Sequence, residues 1–290
     1  MKANSLKRRE RRAAIVAVLP MYLFTLLFVL GPLVYLLVLS FRQREGQWGV
    51  SDALTLSNYP KIFEPIYLAT FWNSIKLALI STAIVILLGY PFGYFMARLT
   101  PKWRKAAMIL LIIPFWTSAI MRLYGWVVLL RANGVLNSIF MRLGITDQPL
   151  KLLYTYPAVV VGMVYVLLPF MIYSVFSSAE KLDWKLMEAS RDLGGTKFYA
   201  FRTVALPLTM PGLFSGIVLT FVPSMGLFFI ADILGGNKIV LVGNLIYEQL
   251  LKVHDLPFAA ALSVVLLVLT SLFLFLYRRL TKADQLEGLV

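Results

Sequence analysis

Cysteine is absent from this 290-residue chain, and histidine occurs once, as His254. Without a thiol there is no disulfide and no thiolate nucleophile, and one imidazole cannot form a multi-histidine metal site. The HExxH signature and the GxxxxGK[ST] phosphate loop are also missing from the sequence. We therefore predict that the chain is not an enzyme by itself and that it binds no metal, no cofactor and no nucleotide of its own.

Charged residues are scarce as well, at 14% of the chain against about 25% in soluble domains. Between these charged residues lie five long uncharged apolar runs. A sixth apolar run, the third in chain order, is interrupted only by Arg122. Each run is long enough for a helix of roughly 20 residues, which crosses a bilayer core of about 30 Å. The six predicted spans are 13–41, 77–97, 106–130, 152–179, 206–231 and 256–277.

These runs predict an all-α integral membrane protein. A basic N-terminal segment, 1–12, precedes a six-helix domain at 13–278. Within that domain a polar loop occupies 180–205, and a short tail follows at 279–290.

The distribution of basic residues predicts the orientation. If the N-terminus lies in the cytoplasm, the cytoplasmic segments hold 18 of the 28 Lys and Arg residues, as the positive-inside rule expects. The C-terminus then lies in the cytoplasm too. A net charge of +14 would otherwise suggest a nucleic-acid partner. Because the excess follows membrane topology, we predict contact with lipid and none with nucleic acid.

Small residues at a spacing of four mark helix faces that allow close packing. Such runs occur at Gly89 and Gly93 and again at Gly212 and Gly216. They indicate packing within one bundle or, alternatively, contact with a second subunit.

The loop between the fourth and fifth spans has a helical pattern. Leu182, Leu186, Ala189 and Leu193 form one apolar stripe, and Gly194 with Gly195 is expected to stop the helix. A second short segment leads to Leu206 and Pro207, where proline is expected to interrupt the backbone before the fifth span. Such an amphipathic helix suits the groove of a partner protein or, alternatively, the lipid headgroups.

The residues of this loop carry a family resemblance. Glu188-Ala189-Ser190, then Gly194 and Leu206-Pro207, resemble the EAA loop of ABC importer permeases, E-A-A-x3-G-x9-I-x-L-P. Ser190 and Val204 depart from that pattern by small changes of side chain. Segments such as Leu88–Gly93 and Pro207–Gly212 resemble the spermidine/putrescine branch of the family. The resemblance thus covers nearly the whole chain.

The resemblance implies a type I ABC importer permease in a bacterial inner membrane, forming half of a polyamine pathway. Its implied partners are a second, homologous permease subunit, a homodimeric ATPase that holds ATP and Mg²⁺, and an extracytoplasmic substrate-binding protein. The loop would be the coupling helix that docks on the ATPase. The residues assigned to coupling are Glu188, Ala189, Ser190, Asp192, Gly194, Leu206 and Pro207, with Arg191 as a further rim charge.

A polycationic cargo would be bound by carboxylates and aromatic faces. On that basis the predicted pathway residues are Trp116, Tyr124, Trp126, Tyr165, Tyr173 and Asp232. Arg122 is expected to be a structural charge, because a cation would oppose such a cargo. In the alternative interpretation, Arg122 and Asp232 pair with each other or extend to the headgroups.

Four other functions compete with this prediction. They are an ABC importer for another small solute, a proton-coupled secondary carrier, a membrane-embedded enzyme, and a receptor or scaffold, against which the coupling loop argues. No acid lies well inside a span, which disfavours the carrier, and the missing catalytic motifs disfavour the enzyme.

Overall fold

The computed structural model describes residues 18–47 and 49–281. The predicted basic segment 1–12, the first five residues of the predicted first span and most of the predicted tail lie outside these ranges. Within them, six helical stretches are long and apolar enough to cross a membrane. They are Val18–Ser40, Pro65–Arg98, Ala119–Arg142, Tyr156–Ala179, Lys197–Gly226 and Leu256–Arg279. The predicted six-helix fold class is therefore confirmed.

Two compact units divide the described residues, and the smaller comprises 18–64 with 246–268. In this unit Asn58 is buried and connects the helix Asn58–Ile62 to the end of the first span. The Asn58 Nδ2 donates hydrogen bonds to the carbonyl oxygens of Ser40 (3.0 Å) and Arg42 (2.8 Å). A two-stranded antiparallel sheet follows the first span. The elements that begin in this unit are a π-helical turn, Leu26–Leu30, then α1, Gly31–Ser40, β1, Arg42–Glu45, β2, Gly49–Leu54, and α2, Asn58–Ile62.

The larger unit comprises 65–245 with 269–281. Three long helices form its centre: α3, Pro65–Arg98, α7, Tyr156–Ala179, and α10, Leu206–Gly226. Shorter elements surround them. These are α4, Pro101–Ile112, a 3₁₀ turn, Ile113–Trp116, α5, Ala119–Leu130, α6, Val135–Arg142, α8, Lys185–Asp192, α9, Lys197–Ala200, a π-helical turn, Phe201–Ala205, and α11, Phe228–Gly235. Two helices, α12, Val242–Leu251, and α13, Leu256–Thr281, have residues in both units.

The core of the larger unit lies where α5 and α11 pack against α7. Leu123, Met163 and Ile230 are fully buried there. Gly162 allows the close approach, because a Cβ atom at this position would lie 2.8 Å from Cγ2 of Ile230.

The predicted small-residue faces pack within the chain. A Cβ atom at Gly93 would lie 2.7 Å from the carbonyl oxygen of Ile172, and one at Gly212 would lie 2.5 Å from that of Ser174. Since both neighbours are backbone atoms of α7, these glycines set how closely α3 and α10 approach that helix.

The third predicted span, 106–130, is discontinuous in the structure. The chain leaves the helical conformation at Thr117 and Ser118, and α5 starts at Ala119. The third membrane-length stretch therefore runs from Ala119 to Arg142 and contains two helices, α5 and α6. An apolar run predicts a segment that can lie in the membrane. It does not predict where a helix within that segment is interrupted.

The fifth predicted span, 206–231, also differs at both ends. The helix ends at Gly226, and Leu227 separates it from α11, which carries Asp232. The expectation that Pro207 interrupts the backbone is wrong, because Ala205 and Leu206 are both helical and Lys197–Gly226 is continuous. In a regular α-helix the ring of Pro207 would clash with the carbonyl four positions earlier. That carbonyl lies within the π turn Phe201–Ala205.

Gly93→Ala should destabilise the larger unit. The added methyl group must displace backbone atoms of α7, and overpacking of this kind costs roughly 1–3 kcal/mol. We expect a lower melting temperature in detergent, measured by size-exclusion chromatography of heated samples.

Gly125→Ala is the matched control, because a Cβ atom at Gly125 would meet nothing within 4 Å and alanine favours a helix. Equal melting temperatures for the two variants would show that α3 does not approach α7 through Gly93.

Candidate functional site

Helix α8 is short and bounded on both sides. Before it, the backbone N–H of Lys185 donates to Oδ1 of Asp183 (3.0 Å). After it, Gly194 adopts a left-handed conformation with φ of +89°, and the Gly195 N–H donates to the Ser190 carbonyl (3.1 Å). Glycine adopts this conformation without the steric penalty of a Cβ atom. The helix therefore stops at the glycines, as its sequence predicts.

The predicted apolar stripe of this loop is divided between two environments. Leu182 lies before α8 and is buried, whereas Leu186 is 47% exposed and Leu193 is 90% exposed. No residue within α8 is buried. Of the predicted coupling residues, Glu188, Ala189, Asp192 and Gly194 are exposed and Ser190 is half-buried. The helix thus presents an apolar and charged surface that the described residues leave uncovered.

Trp184 connects the start of α8 to the end of α3. Its ring meets Tyr94 edge-on at 5.6 Å, and the guanidinium of Arg98 lies 5.3 Å from the ring centroid. Phe201, from the π turn, packs edge-on against Tyr94 at 5.5 Å. One aromatic cluster therefore joins α3, α8 and the start of the fifth membrane-length helix.

Arg104 makes a second connection. It donates through Nη1 to Oε1 of Glu180 (2.9 Å) and through Nη2 to the Ala97 carbonyl (2.8 Å). Glu180 lies between α7 and α8, so this ion pair ties the α3–α4 turn to the loop.

Beyond α8, the predicted coupling residues Leu206 and Pro207 begin α10, where Leu206 is half-buried and Pro207 exposed. Close to them, the Thr209 hydroxyl donates to the Ala205 carbonyl (2.8 Å) and lies 2.7 Å from the Tyr90 hydroxyl. Periodicity does not identify Tyr90 or Trp184 as members of this site, because their partners are distant in sequence.

Arg122 belongs to a different cluster, next to the break in the third predicted span. Its guanidinium donates to the Pro114 carbonyl and lies over the rings of Phe115 (5.3 Å) and Tyr165 (5.8 Å). Trp126 meets Tyr165 edge-on at 5.7 Å. The structure thus brings together three of the residues singled out in the spans: Arg122, Trp126 and Tyr165.

Asp232 has its own partners on α11 and α12. Its Oδ1 accepts a hydrogen bond of 2.5 Å from Nδ2 of Asn244, whose Oδ1 in turn accepts from the Leu241 N–H (2.9 Å). The side chains around Asp232 and Arg122 therefore differ. The remaining predicted pathway residues are well exposed: Trp116 at 84%, Tyr124 at 55% and Tyr173 at 54%.

Among the described residues, no group of three or more His, Asp and Glu side chains could hold a metal ion.

Comparison with known proteins gives consistent results. Residues 89–283 match the family described as binding-protein-dependent transport system inner membrane component. The chain is 44% identical to the spermidine/putrescine transport system permease protein PotB of Haemophilus influenzae over 255 residues, covering 88% of this chain and 89% of that one. It is 42% identical to the PotB protein of Escherichia coli K12 over 265 residues, covering 90% and 96%.

Solved structures resemble the fold at low sequence identity. A bacterial ABC transporter that imports alginate superposes with a TM-score of 0.71 at 18% identity, covering 96% of this chain and 99% of that one. The same transporter type bound to its periplasmic protein gives a TM-score of 0.73 at 16% identity, covering 96% of each chain. Both likenesses concern the fold.

Trp184→Ala should loosen α8 from α3. The substitution removes one aromatic pair and one cation–π contact, which together are worth roughly 1–2.5 kcal/mol. We expect trypsin to cleave after Lys185 and Arg191 on the order of tenfold faster, as followed by mass spectrometry of the peptides.

Trp103→Ala is the control, since Trp103 is 65% exposed on α4. If both variants are cleaved at the same rate, Trp184 does not hold α8.

Proposed function

Because this chain belongs to the family of binding-protein-dependent transport system inner membrane components and is a permease subunit of an ABC importer, we propose that its cargo is a polyamine. The observation that carries this proposal is the identity of 42–44% to PotB proteins over about nine-tenths of the chain. The chain is a multi-pass inner-membrane protein. Its family sets aside the proton-coupled carrier and the membrane-embedded enzyme.

The proposed complex contains this chain, a second homologous permease subunit, a homodimeric ATPase with ATP and Mg²⁺, and an extracytoplasmic binding protein. The family description supports the binding protein. The exposed surface of α8 supports the ATPase, since none of its residues is buried in its own chain and Leu186, Glu188, Ala189, Arg191 and Asp192 are exposed. The excess of basic residues near α8 supports a cytoplasmic location for it and for both termini.

In this complex α8 acts as a lever. The ATPase grips Glu188, Ala189, Ser190 and Asp192, and closure of the ATPase pair displaces α8. Trp184 passes the displacement to Tyr94 on α3, and Phe201 passes it to α10, because the three rings form one cluster. The bundle then changes which side of the membrane its pathway faces.

The proposed pathway carries cations past aromatic faces and the Asp232 carboxylate. Trp126 and Tyr165 are partly buried against the core cluster that also contains Ile230 and Ala231 of α11. Asp232 is therefore on a helix that packs on the same core as the two aromatic residues. Trp116, Tyr124 and Tyr173 are exposed enough to meet a solute or a second subunit.

Gly194→Asp should uncouple transport from ATP hydrolysis. The substitution forces a non-glycine residue to φ of +89°, which costs about 1–2 kcal/mol, and adds a negative charge at the negative end of the α8 dipole. Nothing lies within 4 Å of the new Cβ atom, so the bundle itself should fold normally. We expect at least a tenfold loss of spermidine uptake in proteoliposomes holding the whole complex, with ATP hydrolysis retained.

Gly144→Asp provides the matched control. Gly144 also has a positive φ, +66°, and open space around its Cβ position, but it follows α6. The coupling assignment fails if Gly194→Asp transports normally or if both variants lose uptake equally.

Trp126→Ala and Asp232→Asn should each reduce spermidine uptake at constant membrane abundance. For Trp126→Ala the expected loss is roughly 2- to 30-fold, because a cation–π contact is worth about 0.5–2 kcal/mol. Trp126→Phe should retain part of the activity, because it keeps an aromatic face.

Trp72→Ala serves as the control for loss of a tryptophan, since Trp72 is 65% exposed on α3 and has no predicted part in the pathway. Unchanged uptake in both Trp126→Ala and Asp232→Asn would contradict the pathway assignment and show that the two residues have only a structural role.

A further inference from the structure

A groove of about 530 Å³ opens between the end of α3, the start of α4, and α8 with the turn that follows it. We name it the basic groove. The lining residues that bear on its chemistry are Phe95, Arg98, Arg104, Glu188, Arg191 and Lys197. Its aromatic wall belongs to the coupling cluster, whereas Arg98, Arg104 and Lys197 have no part in the coupling or pathway functions above.

The charge of the basic groove is strongly unbalanced. Four cationic side chains line it, and Glu188 is the one acid among its lining residues. Glu180 neutralises only Arg104, through an ion pair of 2.9 Å. A concave site with an excess of one charge concentrates counter-ions of the other sign. The groove therefore favours an anion.

Arg104 also has an unused donor. Its two Nη atoms are engaged by Glu180 and by backbone carbonyls, but its Nε is buried and has no hydrogen-bond partner among the described residues. A buried donor without an acceptor is costly. Because this Nε is buried, Arg104 contributes to the groove through its charge and not through this donor.

An apolar track leads along α3 to the groove. Leu88, Phe92, Phe95 and Leu99 recur at intervals of four, three and four residues, and they are 42%, 65%, 62% and 40% exposed. This spacing places Leu88, Phe92 and Phe95 on one face of α3, and Leu99 follows its last residue. Phe95 belongs both to this track and to the lining of the groove. Trp103, 65% exposed, and the half-buried Trp184 lie near the same end, as aromatic residues do at membrane interfaces.

We propose that the basic groove binds the phosphate group of an anionic phospholipid, with an acyl chain along the apolar track. Arg98, Arg191 and Lys197 contact the phosphate, and Trp184 positions Arg98 through their cation–π contact. An apolar track that ends in a cationic groove matches a molecule with an anionic head and apolar tails. The bound lipid would bridge α3 and α8. This proposal is independent of the cargo, and it shares Glu188 and Arg191 with the surface proposed to meet the ATPase.

Native mass spectrometry of the purified chain in detergent tests the proposal, with phosphatidylglycerol and phosphatidylcholine as probes. We expect one phosphatidylglycerol molecule to bind at least tenfold more tightly than phosphatidylcholine. The double variant Arg98→Gln/Lys197→Gln should reduce that affinity at least tenfold, because each cation near a headgroup contributes to binding.

The double variant Lys102→Gln/Lys105→Gln removes the same charge from exposed positions of α4 that do not line the groove, so it should retain the wild-type affinity. Equal losses in the two double variants would overturn the proposal in favour of diffuse surface attraction. If Arg98→Gln/Lys197→Gln fails to fold, Lys197→Gln alone, at an exposed position, makes the same comparison against Lys105→Gln.

A second arm separates a lipid from free phosphate. Phe92→Asn interrupts the apolar track and should weaken phosphatidylglycerol binding several-fold while the groove keeps its charges. Inorganic phosphate at millimolar concentration should not displace the lipid. Displacement by phosphate, together with unchanged lipid binding in Phe92→Asn, would show a free-phosphate site and overturn the lipid assignment.

Discussion

Lipid supplies no hydrogen bonds to the backbone, so each interruption of a helix in this permease needs donors and acceptors from the protein itself. In the third predicted span the helix breaks after Trp116, which frees the carbonyl of Pro114. That oxygen accepts hydrogen bonds from the Thr117 N–H, from the Thr117 hydroxyl and from the Arg122 guanidinium. Thr117 and Arg122 together therefore satisfy the carbonyl that the break exposes. Proline within a helix leaves the carbonyl four positions earlier without its usual donor. The π turn before Pro207 accommodates this change in hydrogen bonding.

The sequence predicts the number and type of the spans well, because charges are costly in hydrocarbon and their positions are visible in the sequence. It also predicts the glycine stop after α8, which depends on local backbone conformation. It does not predict the break at Thr117 and Ser118, since neither residue is charged and the apolar run continues through them. At Pro207 the error is the reverse, because proline predicts a break and the helix continues. The π turn that accommodates the proline leaves no signal in composition.

The candidate site is predictable only in part. The motif identifies residues of the loop, whereas the contacts that hold α8 against α3 involve residues that are distant in sequence. Glu188 and Ala189 are implied by the resemblance to the EAA loop, and the glycine stop at Gly194 follows from its place after the apolar stripe. Trp184 matters because of Tyr94 and Arg98, which lie 90 and 86 residues earlier in the chain, and no periodicity reports such a contact. As a result, α8 is held at its start by Trp184 while its own residues stay unburied. A helix attached in this way can be gripped by a partner and still transmit its displacement.

Arg122 shows how geometry resolves a charge that composition leaves open. A cation within a predicted span either binds a substrate, pairs with an acid or supports the fold. Here its guanidinium lies over the rings of Phe115 and Tyr165 and donates to a backbone carbonyl, so its charge is stabilised by groups that belong to the fold. Asp232 is held separately by Asn244, at 2.5 Å. The Arg122 guanidinium and the Asp232 carboxylate thus have different hydrogen-bond partners, the Pro114 carbonyl and the Asn244 amide.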